Sequence, residues 1–337
     1  MKSPIVIDYA SSIPKYQQIF QSVINLIERR ALKRGDSLPS INELSESQKI
    51  AKVTVAKAYK MLKQNGLVRS KQGKGFYIAS TEISTPYNIF LLFDTFNAYK
   101  ETLYYSFKEA VPEQSQLSLF FHHYDLGLFE SLINNNIGNH HYYVIMPHFN
   151  DDVTSIVKKI PSNELIVLDK AIDSLDEGYA TVYQDFEQDI FSALQAAGDL
   201  LLPYQKLTCI KSTDHFQFIP EGILRGFDRF KNSGLICCEI AENFSPDLVK
   251  AGEAYLFFAD RDLIAFIKET HRLGLRLGKD VGLISYDDTP VKEILEGGIT
   301  VISTDFEQMG KTAGEFVEKK IKGKIANPAR LIVRKSL

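Results

Sequence analysis

Residues 14–79 read PKYQQIFQSVINLIERRALKRGDSLPSINELSESQKIAKVTVAKAYKMLKQNGLVRSKQGKGFYIA, and the order of apolar residues and breaks along them decides the fold. Tyr16, Ile19, Val23, Leu26, Ile27 and Ala31 recur at helical spacing behind Pro14, a residue suited to a first helical turn, and predict one buried stripe. Gly35-Asp36 marks the turn that follows. Ser40-Ile41-Asn42-Glu43 matches a capping box, in which the hydroxyl and the carboxylate satisfy the free amides of a short second helix, about Ile41 to Ser47. A third helix is expected from Lys52 to Gln64, with Val55, Ala58, Tyr59 and Leu62 inward and Lys52, Thr54 and Lys57 on other faces. Asn65-Gly66 stops it. Leu67–Lys71 and Phe76–Ala79 then make a hairpin around Gln72-Gly73-Lys74-Gly75, whose cations and glycines suit a close backbone approach.

Three helices and a hairpin make a winged helix-turn-helix. Charge points to its partner. Residues 1–80 hold 14 Lys or Arg against 5 Asp or Glu, and the remaining 257 hold 25 against 37, so a basic head precedes an acidic body. The third helix would enter the major groove of double-stranded DNA, with the wing tip along an adjacent groove or the phosphates. Ser40, Asn42, Lys52, Thr54, Lys57, Lys71, Gly73 and Lys74 are the candidate DNA-binding residues.

The same stretch resembles the GntR-type DNA-binding domain over nearly its whole length, through YQQI, G-D-x-LPS, T-V-x-K-A, the NGL turn and the QGKG wing. Three positions depart from that pattern. Ala51-Lys52 stands where Ser-Arg or Thr-Arg is frequent, Ala56 replaces a second arginine, and Asn42 replaces an arginine of the second helix. Lysine cannot make arginine's bidentate fork to guanine, whereas Asn42 can pair with adenine.

At 337 residues the chain fits two or three domains, and 45% apolar with 24% charged residues is an ordinary globular composition. It has no run of about 18 apolar residues and no apolar stretch of a secretory signal at its start, so no membrane association and a cytoplasmic location are expected. Cys209, Cys237 and Cys238 form neither a disulfide framework nor a zinc pattern and are expected as buried thiols.

Residues 79–87, ASTEISTPY, are small and polar and suit a linker. Beyond them strand-like stretches alternate with amphipathic ones. Strands are expected at Asn88–Phe93, Leu117–Phe121, Tyr142–Met146, Leu165–Leu168, Thr181–Tyr183, Lys206–Ile210, Gly234–Ile240, Ala254–Phe258, Val281–Ser285 and Thr300–Ser303. That alternation means parallel sheets covered by helices, and ten strands fit two such sheets better than one. Ligands of doubly wound folds bind at the carboxyl ends of the strands. Asp94, Asp169-Lys170, Asp260-Arg261 and Asp287 stand at such ends, with Phe96, Tyr99, Phe186, Tyr286 and Phe306 among them. Carboxylates that accept two hydroxyl hydrogen bonds, set beside apolar faces, are what a monosaccharide requires.

KDVGLISYDDTPVKEILEGGITVISTDFEQMGKTAGEFVEKKIKG is similar to the C-terminal half of the LacI-type repressor core, which shares the fold of periplasmic sugar-binding proteins, and FDTFNAYKETLYYSF, IVLDK and EGILRGFDRF extend the similarity. The resemblance, which extends to arabinose-repressor-like regulators, implies an α/β chain: a winged helix-turn-helix (1–80), a linker (81–87) and a two-lobed, Rossmann-like effector domain (88–337). Lobe 1 would take about 88–183 and 305–324, lobe 2 about 184–304 and 325–337, with crossings near Tyr183–Asp185, Thr304–Phe306 and Gly323–Asn327. It makes Asp287 the leading sugar contact, Phe306 the closing aromatic and Asp169 a third candidate. The arginine expected three residues before the glycine of RxxGF is Ile223 here, and Glu221 is placed to point into the cleft instead. Asn97 and Lys170 complete the candidate effector set.

No GxSxG, HExxH or phosphate-binding loop is present, and the pyridoxal-enzyme body found on some GntR heads is longer than this one. His122-His123 and His140-His141 are expected to be solvated, and no metal or cofactor is implied. The expectation is a DNA-binding homodimer, a repressor rather than an enzyme, switched by a monosaccharide or sugar phosphate. The alternative is a GntR head on a body that is an enzyme or binds another metabolite.

Overall fold

The computed structural model describes residues 5–9, 11, 13–71, 75–81, 87–175, 178–211 and 218–337. Helix α1 (Lys15–Glu28) starts directly after Pro14 and buries Ile19, Phe20, Val23, Ile24 and Ile27. Phe20 and Ile24 widen the expected stripe, and Ala31 is exposed because the helix has already ended at Glu28. A two-residue strand β1 (Ser37–Leu38) leads into α2 (Ile41–Ser47). The capping box forms: Ser40 Oγ accepts from the Glu43 amide at 3.2 Å, and Glu43 Oε2 accepts from the Ser40 amide at 2.7 Å. In α3 (Lys52–Gln64), Val55, Ala58, Tyr59 and Leu62 face the core. The Tyr59 hydroxyl donates to the Pro39 carbonyl at 2.8 Å, pinning α3 to the start of α2. Strands β2 (Val68–Lys71) and β3 (Gly75–Ile78) pair antiparallel, and β1 adds a third strand on the far side of β3. The wing tip, with the candidates Gly73 and Lys74, lies outside the described residues.

The α/β body continues as β4 (Asn88–Phe93), α4 (Ala98–Ala110), β5 (Gln116–Phe121), α5 (Leu126–Asn136), β6 (Tyr142–Ile145), α6 (Thr154–Val157), β7 (Leu165–Asp169) and β8 (Ala180–Tyr183). Then come α7 (Phe186–Ala196), α8 (Gly198–Leu201), β9 (Lys206–Ile210), α9 (Glu221–Asn232), β10 (Cys237–Ala241), β11 (Glu253–Phe257), α10 (Asp260–Leu273), β12 (Gly282–Tyr286), α11 (Pro290–Ile294), β13 (Thr300–Thr304), α12 (Phe306–Lys319), β14 (Gly323–Ala326) and β15 (Ala329–Ile332). Two six-stranded sheets result, ordered β14-β8-β7-β6-β4-β5 and β10-β9-β11-β12-β13-β15. Strands β9 to β13 run parallel, and β15 joins β13 antiparallel. Their helices and strands form two lobes, one around each sheet.

The chain passes between the sheets three times: after β8, after β13, and between β14 and β15. One buried residue ties these passages together. Asn327 donates its amide to the Tyr183 carbonyl at 2.7 Å, and its side chain donates to Thr304 Oγ1 at 2.7 Å and to the Asp305 carbonyl at 3.0 Å.

Helices α4 and α12 pack closely because Gly310 presents no side chain. A β-carbon there would lie 2.1 Å from Ser106 Oγ and 2.5 Å from the Leu103 carbonyl oxygen. Backbone cannot yield as a side chain can, so Gly310→Ala is expected to cost about 2–3 kcal/mol, the upper part of the usual overpacking range. Urea denaturation checks this, and a loss below about 0.5 kcal/mol, within the range of ordinary surface changes, would show that the helices can part freely.

Candidate functional site

Strand ends of both lobes converge on one cleft, lined by Asp94, Tyr99, Tyr124, His148, Asp169, Gln184, Phe186, Phe218, Ile219, Pro220, Ile223, Phe258, Tyr286, Asp287 and Phe306. Lobe 1 contributes a continuous polar chain. Buried Lys100 pairs with Asp94 Oδ1, Asp94 Oδ2 meets His148 Nδ1 at 2.7 Å, and His148 Nε2 meets Asp169 Oδ2 at 2.9 Å. Gln184 then donates its side-chain amide to Asp169 Oδ1. Burial alone would make Asp94 a weaker acid, but His148 and Lys100 overcome it and hold the carboxyl far below the usual range. Burial likewise opposes the charge on His148, yet the two carboxylates raise it to about 9, so the imidazole is a cation at neutral pH.

Lobe 2 contributes apolar faces and one carboxylate. Asp287, just past β12, is pushed up to about 7 by burial, against the pull of Lys292 and with the help of nearby Asp169. Its Oδ1 has no hydrogen-bond partner, nor have Gln184 Oε1 and the Tyr286 hydroxyl. Asp169 and Asp287 both hold left-handed backbone, φ 70° and 58°, a conformation that Asp tolerates better than most residues and that is found disproportionately at functional sites. Aromatic rings close the space: Tyr99 stacks on Phe306 at 4.6 Å, and Phe218 stacks on His148 at 5.5 Å. The space they leave is only about 40 Å³. Small-molecule sites usually measure about 300–1,000 Å³, so the cleft as it stands is narrower than such a site.

Of the expected effector residues, the structure brings Asp94, Asp169, Phe186, Asp287 and Phe306 to the cleft. The other six stand outside its lining. Phe96 is 50% exposed and packs edge-on against Phe121. The Asn97 side chain caps α4 by accepting from the Lys100 amide. Lys170 gives its ammonium to the Phe149 carbonyl. The Glu221 side chain is 74% exposed beside Arg225, and that of Asp260 is 69% exposed and pairs with Lys292 at 2.9 Å. Arg261, the next residue on α10, is also outside. The sequence reading passed over His148, Gln184, Tyr124, Phe218 and Phe258. Gln184 and Phe258 directly follow strands and His148 comes three residues after β6, so a search of strand ends for every polar or aromatic residue would have found them.

On the head, Asn42, Lys52 and Lys71 are exposed, and Thr54 is half-buried. Lys57 is exposed as well, with its ammonium over the Tyr16 ring at 3.6 Å, where the ring face attracts a cation. Ser40 uses its hydroxyl in the cap. The expectation of solvated histidines fails at His122, which is fully buried against the Met146 carbonyl at 3.0 Å and driven down to about 4 by burial. Cys237 is exposed rather than buried.

Comparison with known proteins identifies the class at both ends of the chain. Residues 15–78 match the gntR family of bacterial regulatory proteins, and residues 230–337 match the periplasmic binding protein-like domain. The chain therefore joins a GntR-type helix-turn-helix to a periplasmic-binding-protein-like body. Among its relatives is the HTH-type transcriptional repressor YtrA of Bacillus subtilis, 40% identical over 81 residues, a match covering 24% of this chain and 62% of that protein. The lac repressor dimer bound to operator and an anti-inducer shares the fold with a TM-score of 0.59 at 15% identity, covering 75% of this chain and 94% of that one. The transcriptional regulator CelR in complex with cellobiose has a TM-score of 0.58 at 14% identity, covering 89% of this chain and all of that one.

Proposed function

We propose that this protein is a cytoplasmic, homodimeric, DNA-binding repressor of carbohydrate-utilisation genes, controlled by a monosaccharide bound between its lobes, and not an enzyme. The observation that carries this reading is the cleft itself, where Asp169 and Asp287 meet stacked aromatic faces at the strand ends of both lobes. The names of its relatives, a repressor by sequence and a cellobiose-bound regulator by fold, support it. Residues 1–80 are proposed as the DNA-binding head, 81–87 as the linker and 88–337 as the sensor. Asn42, Lys52, Thr54, Lys71, Gly73 and Lys74 would meet the operator, and Ser40 would act by setting the start of α2. Two heads would read half-sites related by a two-fold axis. Exposed Ile264 on α10 and Val291 and Ile294 on α11 offer apolar surface for such pairing.

Sugar binding would change how the lobes sit about the three crossings and so the spacing of the heads. A coupling of about 1–3 kcal/mol suffices for a roughly 5- to 150-fold change in operator affinity. Fluorescence anisotropy on an operator selected from random DNA, with and without saturating sugar, tests this. The expected result is release. Operator affinity unchanged while the sensor is demonstrably saturated would overturn the switch.

A further inference from the structure

Among the described residues that line the cleft, three are carboxylates, Asp94, Asp169 and Asp287, and none is lysine or arginine. The cationic His148 is held between Asp94, at 2.7 Å from Nδ1, and Asp169, at 2.9 Å from Nε2, so its charge is already balanced by two carboxylates, although Nε2 makes no aligned hydrogen bond. The nearby ammonium groups each hold a protein acceptor. Lys100 serves Asp94, Lys170 serves the Phe149 carbonyl, and Lys292 donates to the Tyr286 carbonyl at 2.8 Å and the Asp287 carbonyl at 2.9 Å. At the position where the LacI resemblance calls for arginine stands Ile223, 2% exposed and part of the wall. What the wall offers instead is acceptors: Asp287 Oδ1 and Gln184 Oε1 are buried and unpartnered, and the Tyr286 hydroxyl is available in either sense.

We infer that the cleft takes an uncharged, hydroxyl-rich effector and rejects the phosphorylated or carboxylate form of the same compound. This rests on the sugar reading above and narrows it. A sugar hydroxyl donates to the unpartnered acceptors and accepts in turn, so it satisfies buried groups that otherwise remain costly. A phosphate brings a charge of about −1.5 to −2 and only acceptor oxygens, and would lie against carboxylates where, among the described lining residues, no lysine or arginine stands. The protein would thus report a compound that a kinase-type or dehydrogenase-type reaction consumes, and stay blind to the product of that reaction.

The test is calorimetric titration of the full-length protein with aldopentoses, aldohexoses and 6-deoxyhexoses, each paired with its phosphate and, where one exists, its uronic acid. The expected result is one neutral sugar that binds at least about 100-fold more tightly than its charged partners, since like-charge contacts cost several kcal/mol. A phosphate or uronate that binds as tightly as its neutral parent would overturn the inference while leaving the sugar reading intact. Binding by no member of the panel would overturn the sugar reading, and this inference with it. A second arm uses Ile223→Arg, checked for folding by its thermal transition, which should gain at least about tenfold for the phosphate through a new charge-assisted contact. No gain in the folded variant would overturn the account of the discrimination.

Discussion

Asp287→Asn is expected to stabilise the protein at pH 8 while weakening effector binding at least about tenfold. The carboxyl is pushed up to about 7 by burial, so the folded state holds its proton more tightly than the unfolded chain does. Below about pH 3 both states are protonated and nothing is lost. As pH rises toward 7 the unfolded chain ionises first, stability falls, and the penalty is complete above about 7, with a ceiling of about 4 kcal/mol. Asparagine removes that penalty, tolerates the left-handed backbone at φ 58°, and keeps one acceptor oxygen. It would give up the charge-assisted hydrogen bonds that the proposed function assigns to Asp287 and a bound sugar, each worth about 1.5–3 kcal/mol. Thermal unfolding at pH 5 and pH 8 decides the matter. A midpoint gain that does not grow with pH would remove Asp287 as a buried, reluctantly ionised group.

Lys100→Met should be among the most damaging single changes in the body, at about 3–5 kcal/mol. Lys100 and Asp94 are both about 1% exposed, so removing the ammonium strands a buried carboxylate whose remaining partners are His148, the Thr95 amide and the Tyr124 hydroxyl. Methionine matches the stem of lysine closely, which leaves charge rather than shape as the difference. Combining it with Asp94→Asn should recover part of the loss, because the stranded charge is then gone. Urea denaturation reads both. A single-variant loss below about 1 kcal/mol, the size of an exposed pair, would mean that His148 alone neutralises Asp94.

How much of this was legible beforehand varied with the physical signal. Helices α2 and α3 could be bounded from sequence because capping residues and the Asn65-Gly66 stop are local chemistry. β14 and β15 were missed because GKIA and ARLI are four-residue strands separated by Asn-Pro, and only the partner sheets give them order. The rule of acids at strand ends led to Asp94, Asp169 and Asp287, yet it also nominated Asp260, which sits at the start of α10 and turns to Lys292. Side-chain direction decides such cases, and sequence position does not encode it. His148 went unread for a related reason: its function comes from Asp94 and Asp169, 54 and 21 positions away, and nothing next to it in the chain announces them.

The smallness of the cavity also fixes an order of events. A space of about 40 Å³ admits a few water molecules and no sugar. Under the proposed function, an effector of that size would need a wider cleft than this one. Its apparent affinity would then be the intrinsic one discounted by the fraction of time spent open, and a substitution that loosens the stack of Phe218 on His148, which joins the two lobes, would enlarge that fraction. Sensitivity to the effector can thus be tuned by residues that set how often the door stands ajar, without altering a single contact to what passes through it.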